Sequence, residues 1–233
     1  MGTEASRCRE WHCPCLEKGM KIFLSLILAA GLARCVAASE TSLEVLEEIN
    51  LARTCPKQYG ELLAQRMGGA ASEQTRKSVA ETVTFLNHTK PLPPLDFSDG
   101  LMLGAQSHVA DQGARGTTGH LGTDRSRPWD RMAKFAQWSG GAGENISYGY
   151  ADAKNIVATL IVDQGVAGRG HRKNIFSSNF SVAGIACGKH ARFGSMCVID
   201  FAGGAARPGQ TELASTATGS LRGWSSFDAL RAH

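Results

Sequence analysis

The sequence predicts an α+β fold with a small, mainly antiparallel sheet, and three observations carry that prediction. Apolar residues recur at helical spacing from Leu43 to Val109 and again after Asp152. Three short β-patterned runs, Gly143 to Tyr148, Ser181 to Ala186 and Met196 to Phe201, follow in the second half. Two of those runs end near cysteines that flank a glycine-bounded turn, as the arms of a hairpin would. Helices gathered beside such a sheet form layers around one core.

Each element has its own local reason. Thr41-Ser42-Leu43-Glu44 reads as a capping box opening a helix with Leu43, Leu46, Ile49 and Ala52 on one face. Pro56 breaks or restarts that helix, which then runs to Gly68-Gly69. A second helix spans Ser72 to Asn87, with Val79, Val83 and Leu86 on its apolar face. Pro91-Leu92-Pro93-Pro94 forbids helix and marks an extended link. Ser98 caps a third helix carrying Leu101, Ala105, His108 and Val109, ending at Gly113. A fourth starts near Asp152 and presents Ile156, Val157, Leu160 and Ile161. Beyond Gly203 the chain is Gly, Ala, Ser and Thr with little periodicity, so residues 204–233 read as a flexible tail.

Composition narrows the function classes. The 233 residues are 42% hydrophobic and 20% charged with a net charge of +4, which excludes a disordered chain. The basic residues are scattered without a run, so no nucleic-acid partner is indicated. The longest apolar run, Ile22 to Leu32, has 11 residues. That is too short for a stable membrane span but suits the core of a signal peptide, with Lys21 before it and Val36-Ala37-Ala38 as the cleavage site. Residues 1–38 are therefore the expected signal region, and the product is expected to be secreted, extracellular or periplasmic. Met20-Lys21 itself opens a compact signal, so translation is expected to start at Met20. Cys8, His12, Cys13 and Cys15 then lie upstream of the protein, and their Cys-Pro-Cys spacing lacks the two-residue spacer of a zinc knuckle.

Cleavage after Ala38 leaves Cys55, Cys187 and Cys197. Cys187 and Cys197 face one another across the turn between two strands, a spacing of about 4.5–5.5 Å that a disulfide spans. Two small buried thiols are the alternative. Cys55 is expected as a buried thiol at a helix joint.

No nucleophile elbow, phosphate loop, dinucleotide fingerprint or His-Glu-x-x-His motif is present, so no organic cofactor is expected. What remains is polar residues set among glycines: Gly119-His120, Gly143-Glu144-Asn145-Ile146, Asp163, and Gly170-His171-Arg172-Lys173-Asn174-Ile175. Two imidazoles and two carboxylates can hold a divalent ion or move protons.

The order of these motifs resembles the CAP superfamily of cysteine-rich secretory proteins, antigen 5 and pathogenesis-related 1, and within it the secreted microbial branch. The likeness starts at Ile49-Asn50-Leu51-Ala52-Arg53 with Pro56 and Tyr59. It continues through Pro94-Leu95, Leu101, His108 and His120, and ends with the two glycine-led segments and the strand Cys197 to Phe201. The resemblance implies a three-layer α-β-α sandwich over residues 39–203 and a cleft holding two histidines and two acids. His120, Glu144 and His171 match three of the four positions. Asp163 stands where the family usually has Glu, 19 residues beyond Glu144. It either reaches the shared site or merely ends a helix. The acids either join a metal's ligand shell or orient the histidines from behind.

Beside these, His108 reads as a core histidine, Asn145 and Asn174 as turn-holding hydrogen bonders, and Arg172 as a partner for a carboxylate or for carbonyls. The functional expectation is a binding scaffold for zinc or another divalent metal, with a small apolar or lipid ligand as a further partner. The alternatives are a zinc-dependent hydrolase with Glu144 as base, and a cell-wall or host-interaction module whose tetrad is vestigial.

Overall fold

The computed structural model describes residues 38–69 and 72–206. The expected signal region up to residue 37, the Met20 start, the four upstream metal-type residues and residues 207–233 of the expected tail lie outside the described residues.

Three helices open the fold: α1 (Glu40–Thr54), α2 (Pro56–Met67) and α3 (Glu73–His88). The cap of α1 is Ser39 and not Thr41, because the Ser39 hydroxyl accepts from the Ser42 amide at 3.2 Å and the helix begins two residues earlier. Pro56 occupies the first turn of α2, where its missing N–H costs nothing, and the half-buried Cys55 is the joint. Ser72, expected as the first residue of the second helix, is the cap of α3. The proline segment then runs extended along α1, held by Asn50, whose side chain both donates to and accepts from the Leu95 backbone.

Strand β1 (Asp96–Phe97) leads into α4 (Asp99–Arg115), capped by Ser98. This helix passes Gly113 and stops at Gly116, which takes the left-handed conformation with φ 69°. The short helix α5 (Pro128–Met132) and strands β2 (Gln137–Trp138) and β3 (Ala142–Tyr148) follow. Then come α6 (Ala153–Val162), a single 3₁₀ turn (Ala167–Arg169) and α7 (Gly170–Ile175). The hairpin of β4 (Val182–His190) and β5 (Gly194–Ala202) is longer than the β-patterned runs, so Gly188 lies within a strand and only residues 191–193 turn. Beyond Gly203, β6 (Ala205–Ala206) pairs with β2.

The main sheet has the order β1-β4-β5-β3, antiparallel except for the parallel β1–β4 pair. One face packs on α1, α2, α3 and α6 through a core that includes Val45, Ile49, Leu63, Ile156, Ile161, Ile199 and Phe201. The other face packs on α4 and α5 through Leu101, Ala105, Met132, Met196 and Val198. This is the α-β-α sandwich. Its tightest joint is Gly184 on β4, where a Cβ would lie 2.0 Å from the Met102 nitrogen, so α4 rests directly on strand backbone. Cys187 and Cys197 sit directly opposite on β4 and β5 and form a disulfide, with Cα atoms 4.0 Å apart. Among the described residues no helix is long and apolar enough to cross a membrane.

Candidate functional site

Strand β3 is an edge strand, and its two central residues point to opposite faces. Glu144 turns toward α4 and α5; Asn145 turns toward α6 and α7. Each serves one histidine.

His120 lies in the loop between α4 and α5, and that loop is held from four sides. Asp111 on α4 accepts from the Thr123 amide at 2.7 Å and from its hydroxyl at 2.6 Å. Gln112 donates to the carbonyls of Gly119 and Leu121. Tyr148 on β3 accepts from the Gly119 amide at 3.0 Å, and Arg131 on α5 donates to the His120 carbonyl at 3.1 Å. The His120 ring then gives Nδ1–H to Glu144 Oε1 at 2.7 Å, while Arg131 donates to Oε2 at 2.6 Å. The Glu144 carboxyl is 1% exposed and the His120 ring 40%, so the acid is sealed behind a ring that faces solvent.

His171 opens α7. Asp163 ends α6 in the left-handed conformation, φ 51°, which swings its carboxyl back onto the start of α7. Its Oδ2 accepts from the His171 amide at 2.9 Å and its Oδ1 accepts the ring Nδ1–H at 2.7 Å. The shorter acid therefore both ends a helix and reaches its histidine. The rest of the Gly-His-Arg-x-Asn-Ile segment fastens this turn. Arg172 takes Glu81 on α3 in a two-pronged pair at 2.6 and 3.0 Å, adds Thr82 and the carbonyls of Ile161 and Val162, and stacks on Phe85. The hydrogen bonds from Arg172 hold the Glu81 carboxyl below the usual carboxylate range. Asn145 donates to the His171 carbonyl at 3.0 Å, and Asn174 donates to Asn145 Oδ1 at 2.8 Å and to the Glu144 carbonyl at 3.3 Å. Both pairs thus hang on two consecutive residues of β3.

His108 is fully buried, as a core histidine should be. Its Nε2–H meets the Gly119 carbonyl at 2.9 Å, and burial holds its pKa below the ordinary histidine value. A residue with no counterpart in the motif reading, Arg131, turns out to be the charge partner of Glu144; nothing in Pro128-Trp129-Asp130-Arg131 marks it. A second, Asp200, was visible as a lone acid in the apolar run Met196 to Phe201.

A family profile described as CAP, cysteine-rich secretory protein family, matches residues 46–201. The chain belongs to this family. Three bacterial structures resemble it at low identity. An outer surface protein from Borrelia burgdorferi is 18% identical, with a TM-score of 0.41, over 59% of this chain and 96% of that one. An extracellular protein containing an SCP domain from Bacillus anthracis is also 18% identical, with a TM-score of 0.39, over 61% and 43%. A cysteine-rich secretory protein from Staphylococcus aureus is 16% identical, with a TM-score of 0.33, over 55% and 38%. The match spans less than half the length of the last two proteins. No curated protein matches by sequence.

The four CAP-type residues form two histidine–carboxylate pairs. Among the described residues no three His, Cys, Asp or Glu side chains gather into a group able to hold a metal. The donors this arrangement offers are imidazole nitrogens: giving Nδ1–H to a carboxylate leaves the lone pair of each neutral ring on Nε2, the form a metal binds. His120 and His171 each offer one such nitrogen, in two separate pairs.

Proposed function

We propose that this CAP protein is a secreted scaffold that binds a divalent ion, zinc being the reference, through Nε2 of His120 and His171. The supporting observation is that each ring hands its Nδ1–H to a buried carboxyl, Glu144 or Asp163, which fixes tautomer and orientation before any ion arrives. A bound ion would supply a Lewis-acidic centre. What the chain supplies is two imidazole nitrogens, each on a ring held by its own carboxyl. Secretion is supported by the expected signal region and by the Cys187–Cys197 disulfide, which persists in oxidising compartments.

A scaffold fits better than a hydrolase because the Glu144 side chain, behind His120 and Arg131, is sealed from solvent. A general base must reach the water it activates.

Zinc titration by calorimetry on the secreted chain tests the reading. Binding is expected at pH 7.5, weaker at pH 5.5 because protons compete for the imidazole lone pairs, and lost in His120→Ala and in His171→Ala. Binding that is equal at both pH values, or undiminished in either variant, places the ion elsewhere. Turnover of ester or peptide substrates that disappears in Glu144→Gln replaces the scaffold with the hydrolase.

A further inference from the structure

One buried carboxyl stands outside both pairs. Asp200 lies on the central strand β5, directly opposite Glu144 on β3. Residues paired across strands share a face, so both carboxyls enter the same layer beneath α4 and α5. Asp200 is fully buried, and neither of its oxygens meets a hydrogen-bond donor. The helix above leaves it no escape, since a Cβ on Gly104 would come within 3.2 Å of Asp200 Oδ2. The cation of this layer, Arg131, directs one guanidinium nitrogen to Glu144 and another to the carbonyls of His120 and Ser126.

An ionised carboxylate sealed without a donor is among the costliest groups a protein can hold. A neutral carboxyl is not, because it brings its own donor. Beside it, the ionised Glu144 has about four lone-pair sites for two known partners. We infer that Asp200 is the positioning residue of the His120–Glu144 pair, giving a carboxyl O–H across β5 and β3 to the Glu144 carboxylate and so fixing the acid that fixes the ring. Burial, and then the neighbouring Glu144 charge, push the Asp200 carboxyl well above the usual carboxylate range, in keeping with that role. The inference rests on the reading of His120 as a ligand held by Glu144, but its test needs no metal.

The experiment compares wild type, Asp200→Asn and Asp200→Leu as full secreted chains without metal, by imidazole ¹H–¹⁵N correlation spectra. Wild type should show a protected Nδ1–H for His120. Asn, of the same shape and still a donor, should retain it. Leu should speed its exchange with solvent at least tenfold while the His171 Nδ1–H in the same spectrum stays unchanged. A His120 signal unaffected by Leu, or lost equally in Asn and Leu, overturns the assignment. Should the Leu variant not fold, the infrared C=O band of a protonated carboxyl decides: it should be present in wild type and absent in Asp200→Asn, and its absence from wild type overturns the proposal. Zinc affinity enters none of these outcomes, so the metal reading can fail while this one stands.

Discussion

The two histidine–carboxylate pairs perform one task by opposite means. Glu144 belongs to a strand, is sealed from solvent, and has its charge balanced by a side-chain cation, Arg131, reaching across from α5. Asp163 belongs to a helix end, and its charge is met by the amides at the start of α7 and by the His171 ring. A strand residue has its backbone committed to its neighbours, so its charge must be paired by another side chain. A residue at a helix junction can use backbone amides that have no partner within their own helix. The first device depends on a distant residue that no local motif announces; the second is written within a few positions.

That contrast can be broken experimentally, beginning where the effect is greatest. Arg131→Met removes the only cation bonded to Glu144 among the described residues and should cost about 3–5 kcal/mol in chemical denaturation, since it strands a buried charge. A loss below 1 kcal/mol, on the same scale, would mean that Glu144 is not charged there. Replacing Cys187 and Cys197 together by Ser should cost about 2–3 kcal/mol through the short loop it opens, while leaving both pairs intact. Changed His120 or His171 imidazole spectra in that variant would show that the hairpin, and not the pairs, orients the rings. Asp163→Asn keeps the left-handed turn, which Asn tolerates, but leaves one acceptor oxygen for the two His171 donors, so one bond is lost and about 1–2 kcal/mol is expected. An effect as large as that of Arg131→Met would erase the distinction.

The smallest effect concerns pH and sharpens the comparison, because a buried neutral histidine, His108, supports only the His120 loop. Its folded pKa is depressed by burial, so below about pH 6.5 the unfolded chain takes up the proton more readily and stability falls as pH drops. The slope from this group is at most about 1.4 kcal/mol per pH unit. Gln at position 108 still donates to the Gly119 carbonyl and should flatten the slope, as read from denaturation midpoints between pH 5 and 7.

Much of this was legible because the signals were local. Ser98 was legible as a cap, and Ser72 and Asp152 as the starts of helices; all three cap through their own side chains, by bonds to amides three positions on. The disulfide was legible because a hairpin puts its two cysteines in register. Thr41 misled because a second hydroxyl, Ser39, stood just upstream and the helix took the earlier one. The strands β1, β2 and β6 have two residues each, too few for any alternation to register. At the site, His120, Glu144, Asp163 and His171 were found by resemblance to a family motif. Arg131 was not, because its importance arises only when α5 packs against β3. Asp200 stood in plain view, an acid in an apolar strand, but its meaning required knowing which residue lay opposite.

Asn145 carries a last consequence, for the making of the protein. It is fully buried, bonded to His171 and Asn174, and it opens the triplet Asn145-Ile146-Ser147. That triplet is an acceptor for N-linked glycans in cells that add them during export. A sugar tree attached there before folding has no room beside β3. Production through a eukaryotic secretory route should therefore yield a modified fraction that cannot close its sandwich, whereas Asn145→Gln would trade that loss for a weakened hold on α7. A host that does not glycosylate during export avoids both.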